Sequence, residues 1–192
     1  DMDFVNGALE IGSTTRNALI EEAVKITGLD NPNSVAQLQG WLESETGEEI
    51  ESLRKDTVAK MLTANDNSAE VQRMLEIRQE LGKTSTKKYN AIEKAVCRDN
   101  RVRGLLQFYG ANRTGRWAGR LVQVQNLPRT YIEPLPFART LVKDRKADAL
   151  RFVYGSVPDT LSQLIRTAFV AAEGNVLIDA DFSAIEARVI SW

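Results

Sequence analysis

Two aspartates and a glutamate sit close together near the end of the chain. Asp179 and Asp181 follow the apolar run Val176-Leu177-Ile178, and Glu186 comes five residues after Asp181. The alternation Asp179-Ala180-Asp181 is that of a strand end, where residues two apart project to one face. Ser183 is then placed to cap a helix starting at Ala184, with Glu186 in an acid-tolerant first turn. Such a unit would hold two carboxylates at the end of a buried strand and a third at a helix start. That donor set suits hard, oxygen-preferring cations such as Mg²⁺. A lone Asp-x-Asp is more often a solvated strand end, so the spacing by itself leaves both readings open.

The rest of the composition narrows the chemistry. The 192 residues contain no histidine and one cysteine, Cys97. Ser-His-Asp and Cys-His catalysis, His-ligated zinc and an internal disulfide framework are therefore excluded within this chain. Any reaction here rests on carboxylates, Lys, Arg and hydroxyls. Hydrophobic residues make up 43% of the chain, enough for a sizeable core. No apolar run reaches transmembrane length, and the start lacks a signal-peptide pattern, so a cytoplasmic protein is expected.

A net charge of −1 conceals a strong asymmetry. Residues 1–82 carry a net −9, residues 83–146 a net +11 and residues 147–192 a net −3. Positive charge gathered into one third of a near-neutral chain makes that third a candidate polyanion binder, although charge alone fits a solvated basic face equally well.

The elements that must position these groups can be read in order. A helical stripe through Leu19, Ile20, Ala23, Val24 and Ile26 should end at Gly28. Ser34 and Gln37 form a capping box for a helix carrying Leu38, Trp41 and Leu42, closed by Gly47. A third helix is expected over about 53–62, and a fourth, with Val71, Met74, Leu75 and Leu81 on its apolar face, should stop at Gly82. These stripes read as core. At Lys83 the character changes: Lys83-Thr84-Ser85-Thr86-Lys87-Lys88-Tyr89 places three lysines and three hydroxyls at a helix start, a setting that binds phosphate well. Residues 101–132 read as strands rich in Arg, Gly and aromatics, with Gln125 and Asn126 suited to a groove surface. Residues 133–175 return to helix: Ala138 to Phe152 is basic and amphipathic, and Asp159 and Thr160 are candidate caps for the helix after Pro158. Arg166 is open between facing a polyanion and facing solvent.

The string Asp181-Phe182-Ser183-Ala184-Ile185-Glu186-Ala187-Arg188 closely resembles motif A of the family A, Pol I-like DNA polymerases. Thr114-Gly115-Arg116 and Gln125-Asn126-Leu127-Pro128 resemble two elements that precede motif A in that family. Trp117 stands where Leu is usual, Gly119 where Ser is usual and Val124 where many members have Leu; the Trp-bearing version looks phage-type. The resemblance implies an α+β fold: a helical thumb-like region over 1–100, then over 101–192 the first part of a β-sheet palm ending in motif A. It implies that Asp181 and the Phe182 carbonyl hold two catalytic Mg²⁺ ions, and that Glu186 lies beneath the incoming sugar and rejects the ribose 2′-hydroxyl. Arg116, Gln125 and Asn126 would contact primer–template DNA, and Lys83, Ser85, Thr86 and Lys87 would grip its backbone. Asp179 has no role in the family pattern.

The expected function is thus part of a template-directed DNA polymerase using dNTPs, in a bacterial or phage-infected cell. A fingers helix and a second metal-binding Asp would come from the remainder of the polymerase, so the isolated chain should be inactive. A non-catalytic DNA-binding module is the alternative. A nuclease built on Asp179 and Asp181 is the weaker third reading, because the string continues into Glu-x-Arg.

Overall fold

The computed structural model describes residues 1–63, 67–83, 86–178, 180 and 183–192. One long helix, α1 (Met2–Thr27), is the element on which the others are assembled. It ends where Gly28 adopts a left-handed conformation at φ 66°, the backbone state that closes a helix without a Cβ penalty. Its buried face changes partners along its length. Phe4, Val5, Ala8 and Ile11 join one hydrophobic cluster, whereas Leu19 and Ala23 join a second.

The second cluster is built by α2 (Val35–Thr46), α3 (Lys55–Leu62) and α4 (Ala69–Leu81). The expected cap and stop of α2 hold: Ser34 accepts from the Gln37 amide and Gly47 closes the helix at φ 71°. Ser68 caps α4 in the same way, by accepting from the Val71 amide. Gln37 completes only part of the capping box. Its side chain accepts from the Asn31 amide rather than from Ser34. The bidentate ion pair Arg73–Glu22 ties α4 to α1, with Nε–Oε1 at 2.7 Å.

The first cluster gathers α5 (Lys87–Ala95), α6 (Leu135–Lys143), α7 (Ala147–Tyr154) and α8 (Val157–Leu164) around the start of α1. Tyr89 is buried at its centre and donates its hydroxyl to the Leu161 carbonyl at 2.7 Å. Gly7 lets α1 and α6 approach: a Cβ there would lie 2.2 Å from the Val142 carbonyl oxygen. Two expectations fail here. The basic stretch 138–152 is not continuous, because Arg145 at φ 57° breaks it between α6 and α7. The cap of α8 is Ser156, which accepts from the Asp159 amide, not Asp159 or Thr160.

Between the helical blocks, β1 (Leu106–Ala111) and β2 (Arg116–Gly119) pair antiparallel, with Leu106 opposite Gly119 and Ala111 opposite Arg116. The fold is therefore α+β. Among the described residues these two strands are the whole sheet. Strand structure does not extend through 120–132, which forms a loop with a 3-10 turn at Val124–Asn126. The expected buried strand at 176–178 is also absent: Val176, Leu177 and Ile178 are exposed and no described strand pairs with them. An apolar run becomes a strand only when another edge supplies its hydrogen-bond partners, and neither β1 nor β2 does so here.

Candidate nucleic-acid interface

The hairpin β1–β2, which carries Arg113 and Arg116, lies within a basic stretch of the chain. Residues 101–132 contain six arginines, at 101, 103, 113, 116, 120 and 129, and no acidic residue. All six are exposed. Arg103 is held locally by a bidentate pair with Asp99, with hydrogen bonds of 2.9 and 2.6 Å. That hydrogen bonding pulls the Asp99 carboxyl down to about 2. The strand ladder is interrupted between Gln107 and Ala111, and Tyr109 takes a left-handed conformation at φ 52°. Its ring lies over Gly115 in the turn, where a Cβ would approach Cε2 to 2.9 Å.

Beyond β2 the chain is fixed by backbone-directed side chains. Leu121 and Gln123 both have positive φ, at 55° and 54°. The loop survives this strain because it is held from outside: Lys88 donates to the Val122 carbonyl at 2.6 Å, and Arg166 donates to the carbonyls of Leu127 and Pro128, both at 2.8 Å. Arg166 is exposed, and it clamps this loop. Gln125 packs against β2, since a Cβ on Gly119 would meet its amide at 2.1 Å. Asn126 is exposed and reaches Gln123 at 3.4 Å. The conformation of this loop places Gln125 beside β2.

The acidic segment meets the same hairpin. Helix α9 (Ile185–Ser191) carries Glu186 in its first turn, and Glu186 Oε1 accepts from Arg116 at 2.8 Å. Ser183 does not cap this helix. Ala184 occupies the cap position at φ 54°, and the Ser183 carbonyl accepts from Arg188 Nε at 3.0 Å. Asp179, Asp181 and Phe182 lie outside the described residues, as does Ser85. Among the described residues no three acidic, His or Cys side chains gather as a metal site.

The basic start of α5 touches the loop beyond β2 through Lys88. It borders a cleft of about 1080 Å³ between α1, α4, α5 and α8, whose lining includes Arg16, Arg78, Lys83, Thr86 and Lys87. Lys83 pairs with Asp159 at 2.6 Å, and Thr86 donates its hydroxyl to the Lys83 carbonyl. Burial alone would raise the Asp159 carboxyl, but the hydrogen bonds from Lys83 and Gln163 outweigh it and hold the group below its ordinary value. Lys83 therefore spends its charge inside the protein, whereas Lys87 is exposed.

The model of DNA polymerase family A matches residues 8–192. The chain belongs to DNA polymerase family A. The chain is also 58% identical, over all 192 residues, to the DNA polymerase of Bacillus phage SP02. It spans 29% of the length of that relative. No solved structure matches it. The exposed aromatics Phe108 and Trp117 and the loop clamps Lys88 and Arg166 are not evident as such from the sequence. The hairpin register would have found the aromatics, since they face each other across an Asn-Arg-Thr-Gly turn. The clamps leave no sequence signal, because they bind carbonyls that are distant along the chain.

Proposed function

We propose that this chain is the thumb-like region (1–100) and the first part of the palm (101–192) of a template-directed DNA polymerase. The whole enzyme extends a primer 3′ end with dNTPs in a bacterial or phage-infected cell. The observation that most supports this reading is the Arg116–Glu186 pair. It joins two residues, seventy apart in sequence, that the family pattern assigns to the primer end and to the sugar of the incoming nucleotide. Arg116, Gln125 and Asn126 then contact the primer–template, and Lys87 and Thr86, with Lys83 and Ser85, border its backbone.

Mg²⁺ belongs to the same proposal. The carboxylate of Asp181 and the carbonyl of Phe182 are hard oxygen donors of the kind the ion takes. When bound, two such ions would stabilise the attacking and leaving oxygens of an in-line displacement. We expect the second metal-binding carboxylate from the rest of the polymerase, and the isolated chain not to extend a primer, because two-metal transfer needs both carboxylates.

Single-turnover incorporation by the intact polymerase tests the assignment. Asp181→Ala should lower the rate by several orders of magnitude with little loss of DNA affinity, because the electrostatic stabilisation of the reacting centre is removed. Asp179→Ala should be mild. An inactive Asp179→Ala beside an active Asp181→Ala would overturn the assignment.

A further inference from the structure

Phe108 on β1 and Trp117 on β2 pack edge to face, with ring centroids 5.3 Å apart and planes at 70°. They are nevertheless 71% and 61% exposed. Large aromatics that touch mainly each other leave much of their ring surface to solvent, and a soluble protein rarely maintains that without a ligand for it. What surrounds them identifies the ligand chemistry. The pair stands on a hairpin within residues 101–132, a stretch with six arginines and no acid of its own. Arg103 and Arg116 are paired with Asp99 and Glu186 from outside it, and Arg101, Arg113, Arg120 and Arg129 carry the remaining charge. Tyr109, also more than half exposed, is held beside them over Gly115. An apolar protein partner would not call for that charge, and a simple polyanion such as heparin would not call for the rings. Unpaired bases on a phosphate backbone call for both, since each base offers a π face and each nucleotide a negative charge.

We propose that Phe108 and Trp117 form a stacking platform for unpaired bases, so that this hairpin binds single-stranded DNA in addition to the duplex assigned to it above. The inference rests on the nucleic-acid reading of this surface but adds to it a different ligand, recognised by ring faces rather than by the arginines alone. Paired bases in a duplex keep their faces stacked on one another and cannot use the platform. The duplex is therefore held by charge, and the single strand by charge and stacking together.

The test compares the 192-residue chain with its Trp117→Leu and Phe108→Leu variants, both of which keep apolar bulk at the hairpin. Binding of oligo(dA) and of a duplex of equal length is followed by anisotropy and by tryptophan emission, with circular dichroism to establish that each variant is folded. Oligo(dA) should quench the emission of the parent chain. Trp117→Leu should remove most of that quenching and weaken oligo(dA) binding roughly five- to a hundred-fold, the range for loss of a base–aromatic stack. Duplex affinity should change less than about two-fold, because the phosphate contacts remain. If both DNAs bind and neither variant affects the single strand selectively, the stacking platform is overturned while the duplex reading stands. If neither DNA binds at low salt, both fall. A chain that sediments as a dimer and becomes monomeric on Trp117→Leu would assign the ring surface to a second copy, and would also overturn the proposal.

Discussion

Arg116 on strand β2 and Glu186 on helix α9 meet at 2.8 Å, and this ion pair joins the arginine-rich hairpin to the acidic end of the chain. Both side chains are largely exposed, at 70% and 77%. Water and salt screen such a pair, so it orients the two groups more than it stabilises the fold.

Arg116→Ala and Glu186→Ala should therefore each cost below about 1 kcal/mol. In a chain of this size the melting temperature should move by no more than roughly 4 °C. In the intact polymerase the two variants should diverge. Arg116→Ala should slow extension through poorer placement of the primer end. Glu186→Ala should admit ribonucleotides more readily. Thermal melts and paired dNTP and rNTP incorporation rates check both statements; equal losses on both nucleotides in Glu186→Ala would remove it from sugar selection.

Gly7→Ala should destabilise. Alanine ordinarily favours a helix by about 0.5–1 kcal/mol over glycine. Here its Cβ would meet the Val142 carbonyl oxygen at 2.2 Å, and backbone cannot move aside as a side-chain end can. Overpacking of this kind costs about 1–3 kcal/mol, so the net effect should be a lower denaturant midpoint. Gly40→Ala on α2, where a Cβ meets nothing within 4 Å, is the control and should be neutral or stabilising.

Tyr89 links stability to alkaline pH. Burial raises its phenol well above the ordinary 10.0. Below pH 10 the group is neutral in both states, and its contribution is fully present. Above pH 10 the unfolded chain ionises while the folded chain does not, so stability falls as pH rises. Tyr89→Phe should abolish this part of the pH dependence. It should also lower stability at pH 7 by about 1–3 kcal/mol, because the Leu161 carbonyl loses its partner. Melting curves from pH 8 to 11 on both proteins provide the measurement.

Asp159 restrains Lys83, and removing that restraint should alter DNA binding. Asp159→Asn should tighten duplex binding and steepen its salt dependence by up to about one additional phosphate contact. Lys87→Ala should weaken binding more than Lys83→Ala does in the parent chain. Anisotropy titrations across a salt series would show both effects; a Lys83→Ala loss equal to that of Lys87→Ala would mean that the Asp159 pair opens when DNA arrives.

The local signals in the sequence were legible where a single residue decides the backbone. Gly28, Gly47 and Ser34 end or start helices as their chemistry requires. The pattern Ser156-x-x-Asp159 carried the same information for α8, but Asp159 drew attention as a cap in its own right. Arg145 could not be foreseen as a helix break, since no Gly or Pro marks it; its positive φ belongs to a C-cap of α6 in which the Arg145 and Lys146 amides bond back to the Val142 and Leu141 carbonyls. Val176-Leu177-Ile178 has the composition of a buried strand, yet burial needs a partner that hydropathy does not name. In the candidate site, Arg116 and Glu186 were each legible by motif, while their meeting depended on how α9 lies against the hairpin.

Because α1 runs without interruption through both hydrophobic clusters, it acts as a lever. The stretch from Gly7, where the helix is pinned against α6, to Thr27 measures about 30 Å at 1.5 Å per residue. A tilt of only about 5° at that pin would swing the far end, and the α2–α4 cluster with it, by roughly 3 Å. Small rearrangements around Val142 would thus reappear, magnified, at the opposite end of the molecule.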